Sequence, residues 1–492
     1  MKSLNSVLLT LVLLTSAAVS PAADSREVKR LFAKPPREYA SGPLWVWNDL
    51  LTEEQVRDTM RDLADQEVRQ VFVHPRPGLM TPYLSADWFR LWKVALREAE
   101  RLDMNVWIYD ENSYPSGFAG GWVPELMPES RGRGLHLRES RTAPPWSTNL
   151  VAVFHLEETT VTDVSDRLRS GEALPEDRYL VAVVERAGNS PWTGNRCYVD
   201  LLHPGVGKKF IEVTLGAYQR EIGREFGRRV PGIFTDEPNI IPAGGLPWTD
   251  DLPEQYARRW GASLVTALPS LVREIGDWRQ VRHHYYQTLL DLFIERWAMP
   301  YYTACTQLGL QFTGHYWEHE WPHCHGVPDN MAMAAWQHRP GIDTLMNQYA
   351  EHTHAQFGNV RAAREISSIA NQFGRARTLV EIYGAGRKPA VRRRRAPSRR
   401  PNGHGSWRQR RRAEVIRQRC DRPVANRRRP FALRTSMRTR TERSDGRRSH
   451  ATSAVRSTRF LARRCFGRSS RRASGSRRAR RTRSRSSRSR LI

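Results

Sequence analysis

Asn105-Val106-Trp107-Ile108-Tyr109 is a run of strand chemistry, and Asp110-Glu111-Asn112 follows it with no linker. β-Branched and aromatic side chains fit a pleated, buried surface, and a polar cluster ends it abruptly. Just upstream, Trp88, Leu91, Trp92, Ala95, Ala99 and Leu102 recur at helical spacing and predict a helix with one buried face. Val71-Phe72-Val73-His74 reads as the strand before that helix. Earlier still, Thr52 caps a helix with Gln55 three residues on, and Val56, Met60 and Leu63 form its inner face. Pro43-Leu44-Trp45-Val46-Trp47 opens the series. Three strand–helix repeats of this length predict an α/β fold whose parallel sheet closes as a (β/α)8, TIM-type barrel.

The alternation breaks from about Gly132 to Asn195. Leu150-Val151-Ala152-Val153-Phe154 and Tyr179-Leu180-Val181-Ala182-Val183-Val184 are strand-like with no helix between them, which predicts an inserted β-rich subdomain. It then resumes. Ile211, Leu215, Tyr218 and Ile222 stripe a helix, Gly232-Ile233-Phe234-Thr235 is a strand, and a helical stretch around Leu289 to Trp297 leads to strand Leu310-Gln311-Phe312-Thr313. Ile366, Ile369, Ala370 and Phe373 line a further helix before Thr378-Leu379-Val380.

In such barrels the active site lies at the C-terminal ends of the strands. Here those ends carry Asn48; His74 and Arg76; Asp110 and Glu111; Asp236 and Glu237; His315 and Glu318; and Glu381 and Tyr383. A single strand-end acid often just caps the next helix. Acids at several strand ends, with Trp45, Trp47, Trp107, Tyr114 and Trp317 nearby, fit a site that stacks sugar rings and binds their hydroxyls. Cleaving a glycosidic bond takes two carboxylates: one protonates the leaving oxygen, and the other activates water or attacks the anomeric carbon. Glu237 and Glu381 are the pair selected. Glu237 is the general acid, its pKa raised by repulsion from Asp236, and Glu381 is the base, or the nucleophile in a retaining enzyme. Asp110, Glu111, Asp236, His315, Glu318, Trp47, His74 and Tyr383 are expected to contact the sugar.

Several phrases carry a resemblance. Gly42-Pro43-Leu44-Trp45-Val46-Trp47-Asn48, His74-Pro75-Arg76-Pro77-Gly78-Leu79, Val106 through Gly117, Phe234-Thr235-Asp236-Glu237-Pro238 and Glu381-Ile382-Tyr383-Gly384 resemble glycoside hydrolase family 106, the α-L-rhamnosidases, over residues 40 to 386. The resemblance implies a (β/α)8 catalytic domain, exo-acting inverting hydrolysis and a calcium ion that helps hold the sugar, whose ligands the sequence does not single out. It matches Glu237 to the strand-four acid and Glu381 to its strand-seven partner. Family members continue past the Glu381 phrase through the rest of the barrel. This sequence departs there and offers no credible eighth strand or helix. The barrel is therefore expected to be incomplete at its C-terminal end, with sheet edges and apolar core exposed at the expense of stability and activity.

The departure is compositional. Residues 387–492 hold 39 Lys+Arg against Glu414, Asp421, Glu442 and Asp445, so with +28 overall, residues 1–386 carry −7. The Arg-rich tail is expected to be disordered, because it repels itself and lacks apolar periodicity. Its near absence of Lys and Tyr reads as translation out of frame, and no specific nucleic-acid partner is inferred.

At the other end, Lys2, the apolar run Val7 to Leu14 and the small residues around Ser20-Pro21-Ala22-Ala23 read as a signal peptide over residues 1–23. The expected location is a bacterial periplasm or the medium, with no membrane span. Cys197, Cys305 and Cys324 leave one bridge or three thiols open. Two other readings compete with a glycosidase: a non-catalytic secreted sugar-binding protein, and a zinc peptidase using His315-Tyr316-Trp317-Glu318-His319 as an inverted H-x-x-E-H pattern. The second needs both histidines on one helical face, and here the motif follows a strand.

Overall fold

The computed structural model describes residues 24–158, 160–318, 325–344 and 354–382, the last segment by backbone alone up to residue 360. The expected signal peptide, His319, Cys324, Tyr383 and the Arg-rich tail from Arg387 lie outside the described residues.

Strands β1 (Leu44–Trp47), β2 (Gln70–Pro75) and β3 (Asn105–Tyr109) pair in parallel and in sequence order. Helix Glu53–Asp65 connects the first two and begins with a reciprocal cap. The Gln55 amide donates to the Thr52 hydroxyl, and the Thr52 amide donates to the Gln55 side chain. Its buried face is Val56, Met60 and Ala64, while Leu63 is only half-buried. Helix Ala86–Arg101 buries Trp88, Leu91, Trp92, Ala95 and Ala99, as the spacing predicts.

The insertion is an antiparallel sheet of β4 (Arg133–Ser140), β5 (Leu150–Leu156), β6 (Val161–Asp163) and β7 (Tyr179–Arg186). Helix Val206–Ile222 then returns the chain to the parallel sheet at β8 (Gly232–Asp236), which pairs with β3. The short β9 (Leu246–Pro247) pairs back onto β4, so the insertion's sheet recruits a strand from beyond residue 195. A helical stretch from Trp278 to Gln307 runs through a π turn at Ile294–Ala298, just ahead of Pro300, and leads to β10 (Gln311–His315). A π turn is one way for a helix to absorb a proline, which has no amide hydrogen to give.

Strands β11 (Arg339–Asp343) and β12 (Leu379–Glu381) complete a seven-stranded parallel sheet of order β1-β2-β3-β8-β10-β11-β12. Strand β11 is not among the expected strands; its Pro340 and Gly341 are residue types that weaken a strand signal. Phe373, expected on the buried face of helix His354–Gln372, falls beyond its end and is exposed.

Large side chains fill the core. Phe72 stacks on Trp107 (5.1 Å) and Tyr109 on Phe234 (5.7 Å) inside the curl of the sheet. Burying a side chain such as Phe contributes about 1.5–3 kcal/mol relative to leaving it exposed. Among the described residues the sheet is curled but not closed: β1 and β12 are its two edges. Between them lies a cavity of about 610 Å³ lined by Pro43, Leu44, Phe72, Phe234, Leu379 and Ile382, among others. Cys197 and Cys305 are buried free thiols. No described helix is long and apolar enough to cross a membrane.

Candidate active site

Four neighbouring strands end in titratable side chains: Asp236 on β8, His315 on β10, Asp343 on β11 and Glu381 on β12. Sheet register sets them side by side, His315 opposite Asp236 and Asp343 opposite Glu381. His315 Nε2 lies 2.9 Å from Glu381 Oε2 and 3.6 Å from Asp236 Oδ1. Burial works against a charged imidazole, but the hydrogen bond to Glu381 and the charges of Asp236, Glu318 and Glu381 outweigh it. They hold the His315 pKa well above the usual imidazole range, so the ring is a cation. Tyr109 Oη donates to Asp236 Oδ2, and the Asp343 amide donates to Glu318 Oε1.

Glu237 follows β8 directly and takes a left-handed backbone, φ 46°. A non-glycine residue there costs about 1–2 kcal/mol and is held only by its surroundings. The Glu237 amide donates to the His315 carbonyl (3.2 Å), and Asn239 Nδ2 donates to the Glu237 carbonyl (3.2 Å). Burial is the main cause that pushes the Glu237 carboxyl up to about 8, opposed by His315 and helped by Asp236, Asp343 and Glu318. Repulsion from Asp236, the cause expected from sequence, is therefore secondary to burial. Either way Glu237 holds a proton at neutral pH.

The loop after β3 has a different purpose from the one expected. Glu111 is fully buried, and its carboxylate accepts from the amides of Asn112 (2.8 Å), Gly117 (3.1 Å), Phe118 (2.9 Å), Ala119 (2.7 Å) and Gly120. It organises the loop and has no capacity left for a sugar hydroxyl. Asp110 is also fully buried and accepts from Ser116 Oγ (2.5 Å) and Tyr301 Oη (2.9 Å). Ser116 Oγ in turn accepts from the Asp236 amide (2.7 Å). Asp110 thus positions β8 through Ser116 instead of facing the substrate.

Burial also reassigns several expected sugar contacts. Trp47 and Trp107 are 0% exposed and pack in the core, so neither offers a face to a sugar. His74 is buried against Tyr109, ring centroids 3.9 Å apart, and burial, with the Arg76 charge beside it, keeps it neutral. Glu318 is buried, with its pKa pushed up to about 7 chiefly by burial. Tyr114 does stand at the mouth. Burial, and then the nearby Glu237 and Asp236 carboxyl groups, raise its phenol pKa, and its ring meets Arg76 (5.0 Å) and Trp192 (5.3 Å). The structure therefore brings together Asp236, Glu237, His315, Glu318 and Glu381, and adds Asp343, which the sequence reading missed along with its strand. Tyr383 lies outside the described residues.

Asp236, Glu237 and His315 present ligand atoms within 4.8 Å of one another. Calcium takes six to eight oxygen ligands. A cationic imidazole already bound to two carboxylates is no such donor, so this trio does not fit the implied calcium, and no step is routed through one. A zinc peptidase arrangement fails on topology: His315 ends a strand and Glu318 sits in the turn after it, not on a shared helical face.

The alpha-L-rhamnosidase model of glycoside hydrolase family 106 matches residues 187–466, more than half the chain. The match includes Glu237 and Glu381; it begins after β7 and runs past Gly386, so its bounds differ from the expected 40–386. No curated protein sequence matches. Among solved structures, a rhamnosidase from Novosphingobium sp. PP1Y is similar at TM-score 0.50 and 14% identity, over 72% of this chain and 52% of that one. This chain thus spans about half the length of that rhamnosidase, and the likeness is one of fold. A GH20 exo-β-N-acetylglucosaminidase from Vibrio harveyi, crystallised with N-acetylglucosamine, aligns at TM-score 0.28 and 11% identity over 70% of this chain and 41% of that one, too low to argue from.

Proposed function

This chain belongs to glycoside hydrolase family 106, the alpha-L-rhamnosidases, and on that premise we propose that it hydrolyses terminal α-L-rhamnosides. The observation that carries this reading is the pairing of a protonated Glu237 with a Glu381 whose Oε2 lies 2.9 Å from Nε2 of the His315 cation. Glu237 donates its proton to the glycosidic oxygen as the bond to the anomeric carbon breaks. Glu381 draws a proton from the attacking water, or attacks the anomeric carbon itself if configuration is retained. His315 orients Glu381 and, with Asp236, balances the charge of the site. Tyr114 stands where a sugar ring or leaving group approaches Glu237.

The substrate is a plant or microbial glycoside. Lys2 and the apolar run from Val7 support export to a periplasm or the medium. Hydrolysis of a panel of aryl glycosides, α-L-rhamnoside first, tests the proposal. Release from the rhamnoside supports it; a folded protein that cleaves none of the panel refutes it and leaves the sugar-binding alternative.

A further inference from the structure

The opposite end of the curled parallel sheet, where the strands begin, carries a second site. A cavity of about 590 Å³ is lined by Arg37, Arg339, Arg375, Arg377 and His338, with Glu38 its single carboxylate. These basic side chains come from three places: the segment before β1, the turn into β11 and the turn into β12. Two already have a carboxylate partner: Arg37 lies 2.5 Å from Asp103, which it shares with Arg229, and Arg377 lies 3.6 Å from Glu38.

Arg339 and Arg375 have no ion pair among the described residues. Arg339 lies over the Trp107 ring (4.8 Å) and donates only its Nε, to Gln311. Arg375 lies over the Tyr302 ring (5.5 Å), reaches the Tyr302 hydroxyl at 3.4 Å, and buries its Nε without a partner. Tyr302 is itself stacked on His338 (4.3 Å). Two guanidinium groups are therefore fixed on aromatic faces with most of their donors uncommitted. Burial, and then repulsion from Arg377, lower the Arg339 pKa to about 10. Like charges held together at this cost are relieved by an anion, and planar guanidinium forks suit oxyanions.

We infer that this basal cavity binds an oxyanion, gripped by Arg339 and Arg375 with Arg377 alongside. The chemistry is shared by the carboxylate of an acidic sugar and by free sulfate or phosphate. Its volume lies in the range of small-molecule sites, so a sugar ring fits behind a bound carboxylate. The inference is independent of the glycosidase reading.

Calorimetric titration of the full chain tests it, with sodium sulfate, a galacturonic acid trisaccharide and a neutral trisaccharide at constant ionic strength. We expect saturable binding of at least one anion, none of the neutral sugar, and a tenfold or greater loss of affinity in Arg339→Gln and Arg375→Gln. Arg339 also packs on Trp107, so Arg375→Gln decides the matter if the first variant does not fold. The Arg-rich tail is the same in every protein, so only binding lost on substitution counts. Sulfate bound as tightly as the trisaccharide assigns the site to a free oxyanion, and a preference for the trisaccharide assigns it to an acidic sugar. Unchanged affinity in Arg375→Gln, or no saturable binding of either anion, overturns the inference.

Discussion

His315 Nε2 bridges Glu381 Oε2 at 2.9 Å and Asp236 Oδ1 at 3.6 Å, joining carboxylates from β12 and β8 through one buried cation. Removing one partner of such a set leaves uncompensated buried charge, which costs about 3–5 kcal/mol. His315→Gln should lose about that much stability near pH 6. Because the folded pKa is raised, the contribution of His315 is complete below its unfolded value of about 6.5 and fades as pH rises through the folded one. The penalty should therefore shrink at alkaline pH. Urea denaturation of both proteins at pH 6 and at high pH checks this, and equal stability at pH 6 would contradict the bridge.

Glu237 acts as an acid only while protonated, and its carboxyl is pushed up to about 8. We expect kcat/KM to fall about tenfold per pH unit above that value. Asp343 is one of the charges that raise it. Asp343→Asn should shift the alkaline limb to lower pH. A pH–rate profile that stays in place in this variant would exclude Asp343 from the acid's environment.

Glu111 belongs to the scaffold. Its five amide donors lose their acceptor in Glu111→Ala, and a buried donor left unsatisfied costs about 1–3 kcal/mol. Non-additivity makes a loss of about 3–5 kcal/mol the reasonable expectation. Thermal unfolding should show the drop, while KM of the folded fraction stays unchanged. A large rise in KM with no loss of stability would restore Glu111 to the substrate site.

Gly314 stands in β10 at φ 129°, and a Cβ there would lie 1.9 Å from the Thr235 carbonyl oxygen. An L-residue meets both a disfavoured backbone and a clash with the neighbouring strand. Gly314→Ala should push β10 from β8 and separate His315 from Asp236, lowering stability and activity together. Wild-type stability and activity in this variant would mean that the register does not set the site.

The parallel sheet was legible because its strands obey simple rules. Asn105–Tyr109 and its preceding helix need no tertiary context to be read, and Thr52 with Gln55 announces a cap from spacing alone. Strand β11 was hidden because Arg339-Pro340-Gly341-Ile342-Asp343 is built for close approach: a Cβ on Gly341 would lie 2.3 Å from the Gly314 carbonyl oxygen. Asp343 was lost with it. Glu237, Glu381 and His315 could be placed together at one end of the sheet because strand-end position is a sequence property. Whether a strand-end acid faces a substrate or the back of a loop is not. Asp110 and Glu111 look like ligands in sequence, and only the fold of residues 112–120 turns their oxygens inward. Likewise no local pattern separates the buried Trp47 and Trp107 from Tyr114 at the mouth.

The central claim is that Glu237 is the proton donor, and it is tested most directly by comparing Glu237→Gln with wild type on α-L-rhamnosides of graded leaving-group pKa. Wild type should depend weakly on the leaving group, because the proton arrives as the bond breaks. The variant should lose about 10²–10⁴-fold on alkyl rhamnosides and far less on an activated nitrophenyl rhamnoside. Equal losses on both, or none on either, would contradict the assignment.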